Sequence, residues 1–242
     1  MRLILVILFL LLFFIISIPL LIIEFIIGLF SHHAKVASSQ KIIMVAFQIL
    51  LFLSGVKKTV LGKENIPKDE PILYIANHRS YFDIPISYVN LPTLTGFMAK
   101  KEIKKVPILR AWMRNIQCLF LDRDDIRQGL KTVLQAIEQV KAGYSVFISP
   151  EGTRNHEKEM LPFKEGSFKV AEKTGCAIVP VALTNTDEVF ENHSPWIRST
   201  KVVIEFGKPI YPGDLDKDTK KRLGSYVQDI IKEMLDKNAN LV

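Results

Sequence analysis

In the stretch Asn77-His78-Arg79-Ser80-Tyr81-Phe82-Asp83, a histidine precedes an aspartate by five residues. A loop entering a helix can bring two such side chains together. The carboxylate then holds the imidazole in one tautomer and steadies the cation formed when the other ring nitrogen takes a proton. His78 and Asp83 are therefore a candidate general base and its partner. Taken alone the spacing is a weak signal, because five histidines in 242 residues meet an aspartate this way by chance from time to time. Its place in the chain strengthens it, since the apolar run 72–76 just before it reads as a buried strand.

Two further charged clusters follow apolar runs in the same manner. The run 145–149 leads into Pro150-Glu151-Gly152-Thr153-Arg154. Gly152 lets the backbone turn tightly or approach a ligand. Arg154 offers a planar fork of donors suited to a phosphate monoester, and Glu151 can accept from hydroxyl groups or orient an arginine. The run 117–121 ends in Leu121-Asp122-Arg123, a second guanidinium at what should be the same sheet edge. Each cluster alone is also readable as a surface turn with an exposed ion pair. Together they describe a site that deprotonates one group while gripping an anion.

Other chemistries find no support in the residues. There is no Gly-x-Ser-x-Gly turn, no phosphate-binding glycine loop and no His-Glu-x-x-His. His32, His33, His156 and His193 lack metal-ligand spacing, and Ser167 falls inside a helical pattern. Cys118 and Cys176 lie in apolar runs, so they read as core and fit a reducing compartment. With no covalent nucleophile in view, direct attack by an activated hydroxyl is the simplest route.

The elements that must position these groups alternate. Strands are expected at 72–76, 117–121, 145–149, 177–183 and 201–206, after a linker over 55–71. The clearest helix carries Ile126, Leu130, Val133, Leu134, Ile137 and Val140 on one face, with Asp124 or Asp125 at its start and Gly143 after its end. Further helices are expected over 163–174 and 216–237. Strands alternating with helices imply an α/β domain with a mixed, largely parallel sheet, whose ligands bind beyond the carboxyl ends of the strands.

The first 55 residues have another character. Residues 3–23 carry no charge, and as a helix they match the hydrocarbon thickness of a bilayer, about 30 Å. No small-residue cleavage site precedes Glu24, so a retained anchor is expected rather than a signal peptide. The second apolar run, 42–54, is too short to span. It is expected either to lie in the near leaflet, joined to the anchor by a polar turn over 31–41, or to cover the soluble domain. Residues 1–55 thus read as a membrane anchor and 56–242 as the catalytic domain. Only Arg2 precedes the anchor, whereas Lys35, Lys41, Lys57, Lys58 and Lys63 follow it, which places the catalytic domain on the cytoplasmic side. The net charge is +7, and between residues 97 and 115 six cations and one anion are interleaved with apolar residues. Such a stretch suits an anionic membrane surface or a phosphate-bearing ligand. Nucleic acid, the other usual partner of basic patches, is not expected beside a membrane anchor.

Asn77-His78-x-Ser80-x-x-Asp83 and Pro150-Glu151-Gly152-Thr153-Arg154, in this order and separation, resemble the first and third motifs of the 1-acylglycerol-3-phosphate acyltransferases. Residues 120–123 resemble the second motif, Val179-Pro180-Val181 the fourth, and Ala99-Lys100-Lys101-Glu102 is also similar to a stretch of these enzymes. The similarity covers roughly residues 61–212. Gln117 stands where the family usually has glycine, Ser149 where it has phenylalanine, and Asn155 where serine often follows. The resemblance implies His78 as base and Asp83 as its partner. It also implies an acceptor-binding set of Arg123, Glu151, Gly152, Thr153 and Arg154, to which Lys101 is added. The implied acceptor is lysophosphatidate and the donor acyl-CoA or acyl-acyl-carrier protein, with no metal or organic cofactor and a bacterial cell membrane as the setting. Alternatives left open are another acceptor (glycerol 3-phosphate, a different lysophospholipid, an amino-lipid) and a catalytically silent membrane-binding scaffold.

Overall fold

The computed structural model describes residues 1–122, 125–157 and 159–242. The sheet contains β1 (Lys57–Leu61), β2 (Ile72–Ala76), β3 (Thr95–Lys100), β4 (Leu119–Leu121), β5 (Ser145–Ile148), β6 (Ala177–Thr184) and β7 (Lys201–Phe206), in the order β1-β7-β6-β2-β5-β3-β4. Every neighbouring pair is parallel except β6 with β7. This is the mixed, largely parallel sheet that the alternation of elements predicts. Strands β2, β5 and β6 are buried along their whole length, which is why they read as unbroken apolar runs.

Two strands depart from the expectation. β1 lies inside the supposed linker; it is an edge strand with Lys57, Lys58 and Thr59 exposed, so it carries no buried run to betray it. β3 merges at Lys100 into the basic stretch and was hidden by it. Gly96 within β3 is needed for close approach: a Cβ there would lie 1.9 Å from the carbonyl oxygen of Gln117.

Helices cover both faces. On one face α5 (Ile126–Lys141), α6 (Lys169–Thr174) and α8 (Leu223–Asn238) bury Leu73, Ile75, Val146, Ile148 and Ile178, with the short α7 (Lys217–Lys221) preceding α8. Asp125 caps α5, its carboxylate accepting from the amides of Arg127 and Gln128. The expected apolar face of α5 is only partly buried, since Leu130 and Leu134 stay exposed. Thr132 and Gln139 lie on its buried side instead and donate to the carbonyls of Phe120 and Ser145. The expected helix over 163–174 is a 3-10 turn, Glu165–Phe168, followed by α6.

The other face is covered by α3 (Asp83–Tyr88), α4 (Pro107–Asn115) and α2 (His32–Ser54), over Tyr74, Phe97, Phe147 and Phe206. The polar turn expected over 31–41 shrinks to Ser31, whose hydroxyl accepts from the Ala34 amide and caps α2. Several of the polar residues that follow find partners within the fold. Ser38 and Ser39 donate to Glu24, while Gln40 bonds the backbone at Thr93 and Thr95. α2 is thus 23 residues long, and Ile43 and Leu51 belong to the same core as the sheet. Phe47 meets Tyr88 of α3 edge-on at 5.5 Å.

α1 (Arg2–Phe30) folds back on α2 and is pinned from behind by α4: the Trp112 indole donates to the Ser17 hydroxyl at 2.8 Å, and Phe13 stacks on the same indole. Ile4, Leu8, Leu11, Ile15, Ile18, Ile22, Phe25 and Leu29 form one outward stripe, each more than half exposed. A soluble monomer does not leave so long an apolar surface to water. Both helices are long and apolar enough to enter a membrane, and the stripe associates the chain with one.

Candidate active site

His78 follows β2 at the middle of the sheet's carboxyl edge. Asn77, fully buried, exchanges two hydrogen bonds with the Leu183 backbone and so holds the β2 exit against β6. The next residues then turn into α3, and this turn brings the aspartate back. His78 Nδ1 lies 2.8 Å from Asp83 Oδ2. A carboxylate can only accept, so Nδ1 carries the proton and Nε2 is left with its lone pair for substrate. Asp83 is buried, and its carboxylate also accepts from the amides of Arg79 and Ser80 and from the Thr186 hydroxyl. Four donors on one carboxylate fix its position closely.

Glu151 is buried as well, and both its oxygens are taken by backbone amides: Oε1 by His78 at 2.7 Å and Oε2 by Leu161 at 3.0 Å. Burial pushes its carboxyl above the usual carboxylate range, opposed by those hydrogen bonds. The carbonyl of His78 accepts from the Asn155 amide at 2.8 Å. The turn after β5 therefore grips the histidine backbone on both sides. Glu151 is placed as a brace within the loop rather than as a group facing a substrate's hydroxyls.

Arg154 is half-buried at the same edge. Its guanidinium carbon sits 3.6 Å from the centre of the Tyr81 ring, Nη2 donates to the Tyr81 hydroxyl at 2.9 Å, and Nη1 faces Glu191 at 3.4 Å. Gly152 has φ +77°, a conformation that favours glycine, and the tip of the flexible Lys164 side chain rests over it. Thr153 is exposed beside it. Lys101 stands just past β3 and pairs with Asp122 just past β4. Arg123, predicted as an acceptor contact, lies outside the described residues. Of the predicted set, then, His78, Asp83 and Glu151 are joined by direct bonds, Arg154 reaches their loop through Glu191 and Tyr81, and Lys101 belongs to the neighbouring strand ends.

Sequence reasoning missed Thr186, Glu191, Tyr81 and Lys164. Thr186 and Glu191 come from the β6–β7 connection, more than 100 residues beyond His78, and carry no motif of their own. Lys164 stands ten residues beyond Arg154 and carries no motif of its own either. Neither cysteine competes as a nucleophile, because both are buried and burial pushes the Cys118 thiol up to about 12. Among the described residues no three His, Cys, Asp or Glu side chains are grouped to hold a metal ion.

A family model described as acyltransferase matches residues 57–184, which contain His78, Asp83, Glu151 and Arg154 but not Thr186 or Glu191. The 1-acyl-sn-glycerol-3-phosphate acyltransferase of Borreliella burgdorferi is 32% identical over 189 residues, covering 78% of this chain and 76% of that one. The enzyme of the same description from Saccharomyces cerevisiae is 31% identical over 193 residues, 78% of this chain but 62% of its own length, so the chain spans less than two thirds of that relative. The crystal structure of the 1-acyl-sn-glycerophosphate acyltransferase of Thermotoga maritima superposes with a TM-score of 0.77 at 26% identity, over 98% of this chain and 97% of that one. The chain belongs to the 1-acyl-sn-glycerol-3-phosphate acyltransferase family.

Proposed function

We propose that this chain transfers a fatty acyl group from a thioester, carried by coenzyme A or by acyl carrier protein, to the sn-2 hydroxyl of lysophosphatidate, giving phosphatidate for phospholipid synthesis. The observation that carries the reading is the 2.8 Å contact between His78 Nδ1 and a fully satisfied Asp83, which leaves Nε2 as a base. Nε2 takes the proton of the acceptor hydroxyl, the oxygen attacks the thioester carbonyl, and the thiolate leaves with a proton returned by the imidazolium. Arg154, with Lys101 and Arg123, serves the acceptor's phosphate. Glu151, Gly152 and Thr153 shape the loop that presents it. No metal or organic cofactor is needed for this chemistry.

Residues 1–55 form the membrane hairpin and 56–242 the catalytic domain, which faces the cytoplasm of a bacterial cell. Sharing a core with α2, the catalytic domain is held close to the lipid surface in which both acceptor and product reside.

The test is acyl transfer by purified protein from one labelled thioester to a panel of acceptors: lysophosphatidate, glycerol 3-phosphate, other lysophospholipids and amino-lipids. Lysophosphatidate should be acylated fastest, and His78→Ala should lose about 10²–10⁴ in rate while remaining folded and membrane-bound. Near wild-type activity in that variant, or no transfer by the unaltered protein, would defeat the proposal.

A further inference from the structure

Glu191 opens the 3-10 turn Glu191–His193 in the connection between β6 and β7. Its side chain is only 6% exposed. Oε2 accepts from the Ser80 hydroxyl at 2.7 Å and Oε1 from the Tyr81 amide at 2.7 Å, both within the loop that carries His78. The same Oε1 faces Arg154 Nη1, while Arg154 lies flat on the Tyr81 ring. One carboxylate therefore touches both halves of the site. The Tyr81 amide would be served by the single oxygen of a glutamine, and the Ser80 hydroxyl can turn to accept from its N–H2. Among the described residues, the cation paired with this negative charge is Arg154.

We infer that Glu191 is a positioning residue that holds Arg154 ready for the acceptor's phosphate and ties that grip to the histidine loop. The inference rests on the reading of Arg154 as a phosphate contact. A guanidinium has two edges; one bonded to Glu191 and Tyr81 leaves the fork oriented but not enclosed, since Arg154 keeps 28% of its side-chain surface open. The long 3.4 Å contact lets the arginine adjust when the phosphate arrives.

The experiment compares steady-state kinetics of the full chain in lipid vesicles, with lysophosphatidate as acceptor. Glu191→Gln keeps the loop contacts but removes the charge, so it should raise the acceptor KM about three- to tenfold, with kcat and the donor KM unchanged. Glu191→Ala should lower kcat as well, because the bonds to Ser80 and Tyr81 go with it. In an Arg154→Ala background, Glu191→Gln should change nothing further, a result that a merely structural role would not give. If Glu191→Gln does not fold, Glu191→Asp, whose shorter carboxylate draws back from Arg154, Tyr81 and Ser80 alike, should raise the acceptor KM while lowering kcat less than Glu191→Ala does. An acceptor KM equal to wild type, or an effect that persists without Arg154, overturns the inference alone. Failure of the unaltered protein to acylate lysophosphatidate overturns the functional reading and this inference with it.

Discussion

The histidine side and the arginine side of the site are held in opposite ways. Asp83 receives hydrogen bonds from an imidazole, two backbone amides and a hydroxyl, and the histidine backbone is bonded at both its amide and its carbonyl. Arg154 has one long ion pair, and a hydrogen bond and stacking contact with a tyrosine that is itself 59% exposed. Proton transfer needs a heavy-atom distance set within a few tenths of an ångström, so the base must be fixed by more bonds than it could lose at once. Charge attraction to a headgroup falls off gradually with distance, so the grip tolerates a side chain that shifts. Rigidity has been placed where chemistry requires it, and freedom where a lipid must enter and leave.

The most damaging change to the rigid side is Asp83→Asn. Asparagine keeps an oxygen where Nδ1 and the Arg79 and Ser80 amides meet, and turns its N–H2 to the Thr186 hydroxyl, but it removes the charge that steadies the imidazolium. Turnover of a labelled thioester should fall about 10²–10⁴-fold, with a circular dichroism spectrum like that of wild type. More than a tenth of normal activity would mean that the dyad is not the base. Glu151→Gln attacks the brace instead. Glutamine has one acceptor oxygen where the His78 and Leu161 amides use two. Leaving one of them unpaired in a buried place should cost about 1–3 kcal/mol in urea unfolding. It should lower kcat by a smaller factor than Asp83→Asn, while the acceptor KM stays near normal. A kcat unaffected by this change would show that the brace does not govern the base.

The contrast between the two sides also explains what was legible in the sequence. His78, Asp83, Glu151 and Arg154 were readable because each stands directly after a buried apolar run, and buried parallel strands advertise themselves. β1 and β3 were not, because an edge strand with exposed lysines and a strand ending in a basic stretch have no run to recognise. α2 was read ten residues too short because its first turns are polar, and their partners, Glu24 and the backbone at Thr93 and Thr95, become neighbours only after folding. Glu191 and Thr186 were invisible for the same reason. The β6–β7 connection has ordinary polar composition, and nothing short of topology says that it returns to the histidine loop.

On the looser side, Arg154→Lys keeps the charge but gives up the planar fork and the flat contact with Tyr81. The acceptor KM should rise about fivefold, while kcat and the donor KM hold. If kcat falls as steeply as in Glu151→Gln, the arginine is part of the rigid machinery and the contrast drawn above is wrong.

The smallest expected effect lies away from both sides, at Gln117, where the sequence departs from the family's usual glycine. Gln117 has φ +61°, which costs an L-residue other than glycine, asparagine or aspartate about 1–2 kcal/mol. Its carbonyl is also the atom that a side chain at Gly96 would strike, so the turn cannot relax toward β3. Gln117→Gly relieves the strain but adds freedom to the unfolded chain, which offsets about 0.5–1 kcal/mol of the gain. The net should be a stabilisation of up to about 1 kcal/mol in urea unfolding, with kcat and both KM values unchanged. Gln117→Ala separates backbone from side chain: it keeps the strain and loses only the exposed contact with His32, so it should be no more stable than wild type. Equal stability of the glycine and alanine variants would place the strain elsewhere. A change in acceptor KM in either would extend the adjustable part of the site along β4 toward Asp122 and Lys101.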